Sequence, residues 1–336
     1  MINKTNKKKI LISFVIIMLL IALNTYISSN YVIMMPGITR DLKEIITVEG
    51  GQKHDEGAFL LTAVSTRTAN IPLLFYVVFD PYTEIIAKKY VIPQGWNMDD
   101  YLKYMKKWME ESKMVAKVVA LKKAGFETEI HGEGVEVVKI MQGSHALGKI
   151  KPGDIIVEVD GEKVTLADQL VSKILKHKVD DIVYLKVIRE NKEYTYGIKT
   201  VENAVNKGKA SLGIYVTTYN WKPVLPKDIS IKTDEIGGPS AGAMFTLEIL
   251  NQLQKENLTN NKKIAGTGTI SLNGEIGEIG GTLQKVITAQ RDGASIFFVP
   301  KGNMDDLKKI KDQLKINVIP VSNLDEMLNY LKNIKT

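Results

Sequence analysis

No cysteine occurs anywhere in the 336 residues. Disulfides, a thiolate nucleophile and cysteine metal sites are thereby excluded, and every domain must rely on its core. Histidine is nearly as scarce. The four are His54, His131, His145 and His177, so a Ser-His-Asp triad cannot be assembled locally beyond residue 200. The net charge is +7, but no basic stripe interleaved with aromatics is present, of the kind that tracks a nucleic-acid strand. Lysines are spread along the chain, and no nucleic-acid partner is expected. Long internal repeats and low-complexity tracts are also missing. Gly143 and Gly148-Lys149 have the spacing of a phosphate loop, yet Ile150 stands where magnesium chemistry requires Ser or Thr. No ATP-driven module is visible, and the chemistry argued below needs no metal or cofactor.

What is there begins with a membrane signal. Lys4 and Lys7-Lys8-Lys9 precede Ile10 to Leu23, a run that is apolar except for Ser13. The fully apolar stretch is short for a span, which needs about 20 residues, and its length also suits the apolar region of a signal peptide. An A-x-A cleavage site is missing, and Tyr26 and Tyr31 suit an outer interface. Residues 1–35 are therefore read as a cytoplasmic tail and an uncleaved, single-pass signal anchor, with a cleaved signal as the alternative. Either way the lysines face the cytoplasm and the bulk of the chain lies outside the cell.

Residues 36–123 combine strand-like runs (Ile45 to Val48, Ala58 to Val64) with a helix expected from Met98 to Lys123. On that helix Met105, Met109, Ser112, Ala116, Val119 and Ala120 recur at spacings of three and four. Residues 124–200 read as a compact unit with strands at 134–141, 155–159 and 183–188 and a helix at 167–175. Within it, Gly143-Ser144 with Ala146, Gly153-Asp154-Ile155-Ile156 and Val159-Asp160-Gly161 resemble a PDZ domain of the bacterial type. The resemblance implies a groove that adds an extended peptide as a strand, with its carboxylate loop expected near Lys123-Ala124-Gly125-Phe126. From 201 to 336 the pattern is α/β, with strands at 212–217, 229–231, 264–272 and 295–299 and helices at 239–254, 283–292 and 304–314.

Two residues in this last part attract chemistry. Gly237-Gly238-Pro239-Ser240-Ala241-Gly242 places Ser240 at the start of an almost wholly apolar helix, beside free N–H groups and the positive dipole end. Taken alone, Ser240 reads as a helix cap. A nucleophile needs a base, and without histidine lysine must serve, provided burial lowers its pKa. Lys285 shares a helix face with Gly281, Thr288 and Ala289, all small enough for another element to approach.

GGPSAG, Ala265 to Ile270, Asn273 to Gly281 followed by Thr282-Leu283-Gln284-Lys285, and AQRDGA together resemble the proteolytic domain of Lon peptidases over about residues 229–303. With the anchor and the PDZ-like unit, the chain is similar to small membrane-anchored PDZ–Lon proteins of Gram-positive bacteria. That resemblance implies Ser240 as nucleophile, Lys285 as general base and Thr267 as support for the lysine. Gly237 departs from the family's acidic residue, with Asp234 and Glu235 nearby, and Glu278 stands where proline is common. The expected architecture is α+β: a transmembrane helix, a PDZ domain and a Lon-type proteolytic domain, with 36–123 as a candidate first part of the last. The expected function is ATP-independent serine endopeptidase acting on peptides or flexible segments, a PDZ-based scaffold being the alternative. Peptide substrates, the membrane and, by family analogy, a homo-hexamer are the implied partners.

Overall fold

The computed structural model describes residues 4–92, 96–203, 208–233 and 236–334. A helix spans Lys4–Asn30 and passes directly into the strand Tyr31–Asp41. Residues 31–35 therefore belong to a sheet rather than to the anchor, where the sequence had placed them. The β-branched residues Val32 and Ile33 there are completely buried.

That strand is one of six in the main sheet. In order they are Asn317–Val321, Ile296–Pro300, Lys263–Gly266, Ala58–Thr68, Tyr31–Asp41 and Glu84–Ala87. The first four run parallel, and the last three are joined antiparallel. Successive side chains of a strand face opposite ways, and both faces are covered here. Phe59, Leu61, Ile264 and Phe298 point to a core shared with the helices Met98–Lys123 and Gly242–Leu253. Ala58, Leu60, Ala265, Phe297 and Val299 point to one shared with Val286, Ile287 and Ala289 of the helix Thr282–Arg291. Residues before the PDZ-like unit and residues after it thus build a single sheet.

The second sheet is antiparallel, in the order Lys192–Lys199, Ile182–Arg189, Ile155–Val159, Gly134–Ile140 and Ile214–Tyr219. Asp160 (φ 50°) and Gly161 (φ 80°) form the tight turn expected of Asp-Gly, which needs two positive φ values in sequence. Asp154 is 1% exposed and takes two bonds of 2.6 Å from the Arg189 guanidinium. Here the sequence boundary at 200 differs from the structure. The strand Ile214–Tyr219 pairs with Gly134–Ile140 and so belongs to this sheet, not to the α/β part. Its Ile-Tyr-Val-Thr-Thr-Tyr pattern states a strand but not a partner about 80 residues away.

The helix Met98–Lys123 starts and ends where its periodicity placed it, with the Asn97 side chain accepting from the Asp100 amide. Asn97 thereby satisfies an otherwise unpaired donor at the helix start. The helix expected at 304–314 is instead a 3₁₀ helix spanning Lys301–Gln313.

Candidate active site

The helix expected from Pro239 begins instead at Gly242. Ser240 lies on the turn before it, and Ala241 occupies the cap position without a side-chain bond. The cap reading of Ser240 is thus withdrawn, which leaves its hydroxyl for other work. The turn is held from several directions. Gly238 has φ 92°, a value that favours glycine, and its amide donates to the Met105 carbonyl at 2.9 Å. Ser112 Oγ donates to the Pro239 carbonyl at 3.0 Å, and the Gly268 amide donates to the Ser240 carbonyl at 2.8 Å. A Cβ on Gly242 would sit 2.7 Å from Ser112 Oγ and 2.8 Å from Ile270 Cγ2, so glycine is required for this approach.

Lys285 reaches the same point from the other side of the sheet's C-terminal ends. Gly281, at φ 73°, begins its helix, and a Cβ there would meet Val64 and Met34. Thr288 accepts a 3.0 Å bond from the Gly37 amide. The small residues on the lysine's face therefore admit the N-terminal strand pair, and that pair helps bury the lysine.

The structure brings the three expected residues together. Lys285 Nζ donates to Ser240 Oγ at 2.6 Å and to Thr267 Oγ1 at 3.0 Å. Thr267, 1% exposed, in turn donates to the Ser240 carbonyl at 3.0 Å. Lys285 is 4% exposed, and no carboxylate among the described residues forms an ion pair with it. Burial disfavours the charged amine and pushes its pKa down from 10.5 to about 7. Asp234 and Glu235 lie outside the described residues. His54, whose ring meets the Asn251 carbonyl at 3.2 Å, takes no part in this cluster. An amine poised near neutrality beside a hydroxyl on a glycine-bounded turn is suited to acyl transfer.

Residues 228–333 match the family of the Lon protease (S16) C-terminal proteolytic domain, and residues 117–200 match the PDZ domain family. The chain carries a Lon-type proteolytic domain and a PDZ domain. Lon protease of Mycoplasmopsis agalactiae is 32% identical over 151 residues, which are 44% of this chain and 13% of that protein. Lon protease of Metamycoplasma arthritidis is 38% identical over 96 residues, 28% of this chain and 11% of that protein. The chain thus spans only a small part of these relatives' length. Among solved structures, the PDZ domain of an SdrC-like protein from Listeria monocytogenes is 25% identical, with a TM-score of 0.24. It covers 25% of this chain and 87% of its own.

The PDZ groove needs relocating. Gly125 (φ 87°) and Phe126 form the stop of the helix Met98–Lys123, the Phe126 amide returning to the Leu121 carbonyl. That segment packs on the proteolytic core and is not a carboxylate loop. The PDZ sheet ends instead in the strand Ile214–Tyr219, beside the helix Ala167–Ile174, whose Ala167 amide donates to Thr218 Oγ1. This is the edge where an extended peptide would add. Two of its outward backbone groups are already engaged. The Glu111 carboxylate accepts from the Thr218 amide and hydroxyl, and Tyr104 Oη donates to the Val216 carbonyl at 3.4 Å. Sequence reasoning missed Tyr104, Glu111 and the role of Ser112, because their partners lie more than 100 residues away.

Proposed function

We propose that this chain is an ATP-independent, membrane-anchored serine endopeptidase whose nucleophile is Ser240 and whose general base is Lys285. The observation that carries the reading is the 2.6 Å contact between Lys285 Nζ and Ser240 Oγ, made by a lysine that burial holds near neutrality. The catalytic unit comprises residues 31–123 and the chain from Ile229 onward, with the PDZ domain, its last strand Ile214–Tyr219 included, inserted between them. The helix Lys8–Asn30 is long and apolar enough to cross a membrane, and the lysines before and at its start favour a cytoplasmic N-terminus, which leaves the catalytic unit outside.

Neutral Lys285 accepts the Ser240 proton as Oγ bonds to the scissile carbonyl carbon. The charge moves to the carbonyl oxygen. Pro239 has no N–H to donate, and the Gly238 amide is bound to Met105, so the Ser240 and Ala241 amides are the oxyanion donors. Collapse breaks the C–N bond, and the Lys285 ammonium returns its proton to the leaving amine. Water, deprotonated by the same lysine, then cleaves the acyl-enzyme. Thr267 positions the amine throughout. The Lon proteases that this chain resembles are matched over only a fraction of their length, so substrates are inferred from this site: peptides and flexible segments that can reach Ser240 as extended chain.

The test is the full-length protein against a peptide library, beside Ser240→Ala and Lys285→Ala. Cleavage should fall to background in both variants. Equal residual cleavage in all three would remove the dyad assignment and favour a PDZ scaffold with an idle peptidase unit. Paired amide and ester substrates separate a peptidase from an esterase.

A further inference from the structure

The helix Ile71–Phe79, Ile-Pro-Leu-Leu-Phe-Tyr-Val-Val-Phe, contains no charged residue and has no fully buried side chain, Ile71, Leu73, Leu74 and Val77 being half-buried. Phe75 is 67% exposed, Val78 78% and Phe79 82%. In water such a surface is costly, yet the helix is firmly rooted. Asn70 caps its start through the Leu73 amide. Asp80 at its end is 7% exposed, accepts from Thr83 Oγ1 and the Tyr82 amide, and pairs with Arg291. A rigid, wholly apolar face held out from the fold needs a partner.

Its position identifies the partner. The Ile71 amide donates to Asn24 Oδ1 at 3.0 Å, and Asn24 follows directly on the apolar run Ile10 to Leu23. Lys88 Nζ, in the segment just beyond, donates to the Ser28 carbonyl at 2.6 Å. At 1.5 Å per residue, that 14-residue run measures about 21 Å, against roughly 30 Å of hydrocarbon. The missing ~9 Å is about six residues, which carries the boundary to the neighbourhood of Ser29. Asn24 then lies at the depth of the leaflet on the catalytic side, where water is scarce and polar groups must satisfy one another. The bond does this for both partners, since Ile71 offers one of the unpaired amides of a helix start. The rim fits as well. Tyr76 lies on the helix itself, and Lys88, Lys89 and Tyr90 form a turn against the end of the spanning helix, where Lys88 meets Ser28 and Lys89 Nζ lies 5.0 Å from the centre of the Tyr90 ring. Aromatic rings and lysines beside an apolar face are the composition of an interfacial helix.

We propose that the helix Ile71–Phe79 lies in the membrane interface and buries Phe75, Val78 and Phe79 among lipid acyl chains, giving the proteolytic unit a second attachment beside its span. The inference rests on reading residues 4–30 as a span. Two attachments fix the unit's orientation, and with it the height of Ser240 above the bilayer.

Because the chain has no cysteine, single spin labels can be placed without background. The full-length protein carrying Phe79→Cys, Val78→Cys, Ile17→Cys or Lys308→Cys would be reconstituted in vesicles of phosphatidylcholine and phosphatidylglycerol. Each label's collisions with oxygen, which concentrates in lipid, are compared with those of a water-soluble nickel chelate. The expected result is a ratio shifted toward oxygen at 78 and 79, as at 17, and toward nickel at 308. Nickel-dominated labels at 78 and 79 with an oxygen-dominated label at 17 would overturn the inference and leave the span standing. A nickel-dominated label at 17 would overturn both. Label-to-label broadening at 79 that disappears on dilution with unlabelled protein would assign the face to a second copy and overturn the lipid partner.

Discussion

If Lys285 is the base, activity must follow its deprotonation. With a pKa of about 7, about a tenth of the lysine is neutral at pH 6 and about nine tenths at pH 8, so kcat/KM should rise about tenfold across that interval. The assay is hydrolysis of an internally quenched peptide by the full-length protein. A flat profile, or a rise centred near 10, would refute the assignment, since a solvated lysine titrates near the latter value. The same shift has a stability signature. Lys285 in the folded protein is held below its unfolded value, so between about 7 and 10.5 the unfolded chain binds the extra proton, and stability rises with pH across that window. Below pH 7 the burial penalty is present in full. Lowering the pKa from 10.5 to about 7 corresponds to about 5 kcal/mol, at roughly 1.4 kcal/mol for each tenfold change. Lys285→Met keeps the volume and removes the charge, so it should be more stable than wild type at pH 6 and lose most of that advantage by pH 10. Denaturant midpoints measure the difference, and a constant difference between the two pH values would refute the buried-amine reading.

Other outcomes follow from single contacts. Thr267→Val removes a hydroxyl that accepts from Lys285 Nζ; losing a bond to the charged form should move the pH–rate rise to lower pH, and kcat should fall by about tenfold as the amine loses its positioning. A fragment of residues 201–336 lacks the strands Tyr31–Asp41 and Ala58–Thr68, including the buried Phe59 and Leu61, so it should neither fold by circular dichroism nor cleave peptides. Arg189→Ala strands the buried Asp154 carboxylate and should destabilise the PDZ sheet by about 3 kcal/mol, measured by chemical denaturation; a change under about 1 kcal/mol would show that the pair matters little.

The parts legible in the sequence were those governed by local physics. The helix Met98–Lys123 declared itself by periodicity, and the Asp160-Gly161 turn by its residues' tolerance of positive φ. Ser240 and Lys285 were singled out by elimination and resemblance, because no histidine lies beyond residue 200. The unread parts depend on distant pairing. Nothing within Ile214–Tyr219 names Gly134–Ile140 as its neighbour, and nothing in Tyr31–Met35 separates a last turn of an apolar helix from a buried strand. The helix Ile71–Phe79 was passed over for a related reason: its nine residues show no alternation of polar and apolar faces, so periodicity has nothing to detect.

One helix joins the two recognition problems. Met105 and Ser112 of Met98–Lys123 hold the turn that carries Ser240, while Tyr104 and Glu111 of the same helix hold the edge of the PDZ sheet. A peptide adding along Ile214–Tyr219 needs the Val216 carbonyl and the Thr218 amide, and both are engaged. Glu111 is itself largely buried, which raises its carboxyl pKa against the lowering effect of the Thr218 and Thr217 bonds, so the contact trades desolvation for hydrogen bonds and is only modestly favourable. A peptide backbone competes directly with it. Glu111→Ala should therefore tighten binding of an extended C-terminal peptide, by about tenfold if the displaced contact is worth about 1.4 kcal/mol. Fluorescence anisotropy with a labelled peptide reads the affinity, and an unchanged or weaker affinity would show that the edge is not the binding strand. Where the affinity does tighten, hydrolysis by the same variant tells whether Met105 and Ser112 still hold the Ser240 turn once the helix is released from the PDZ edge.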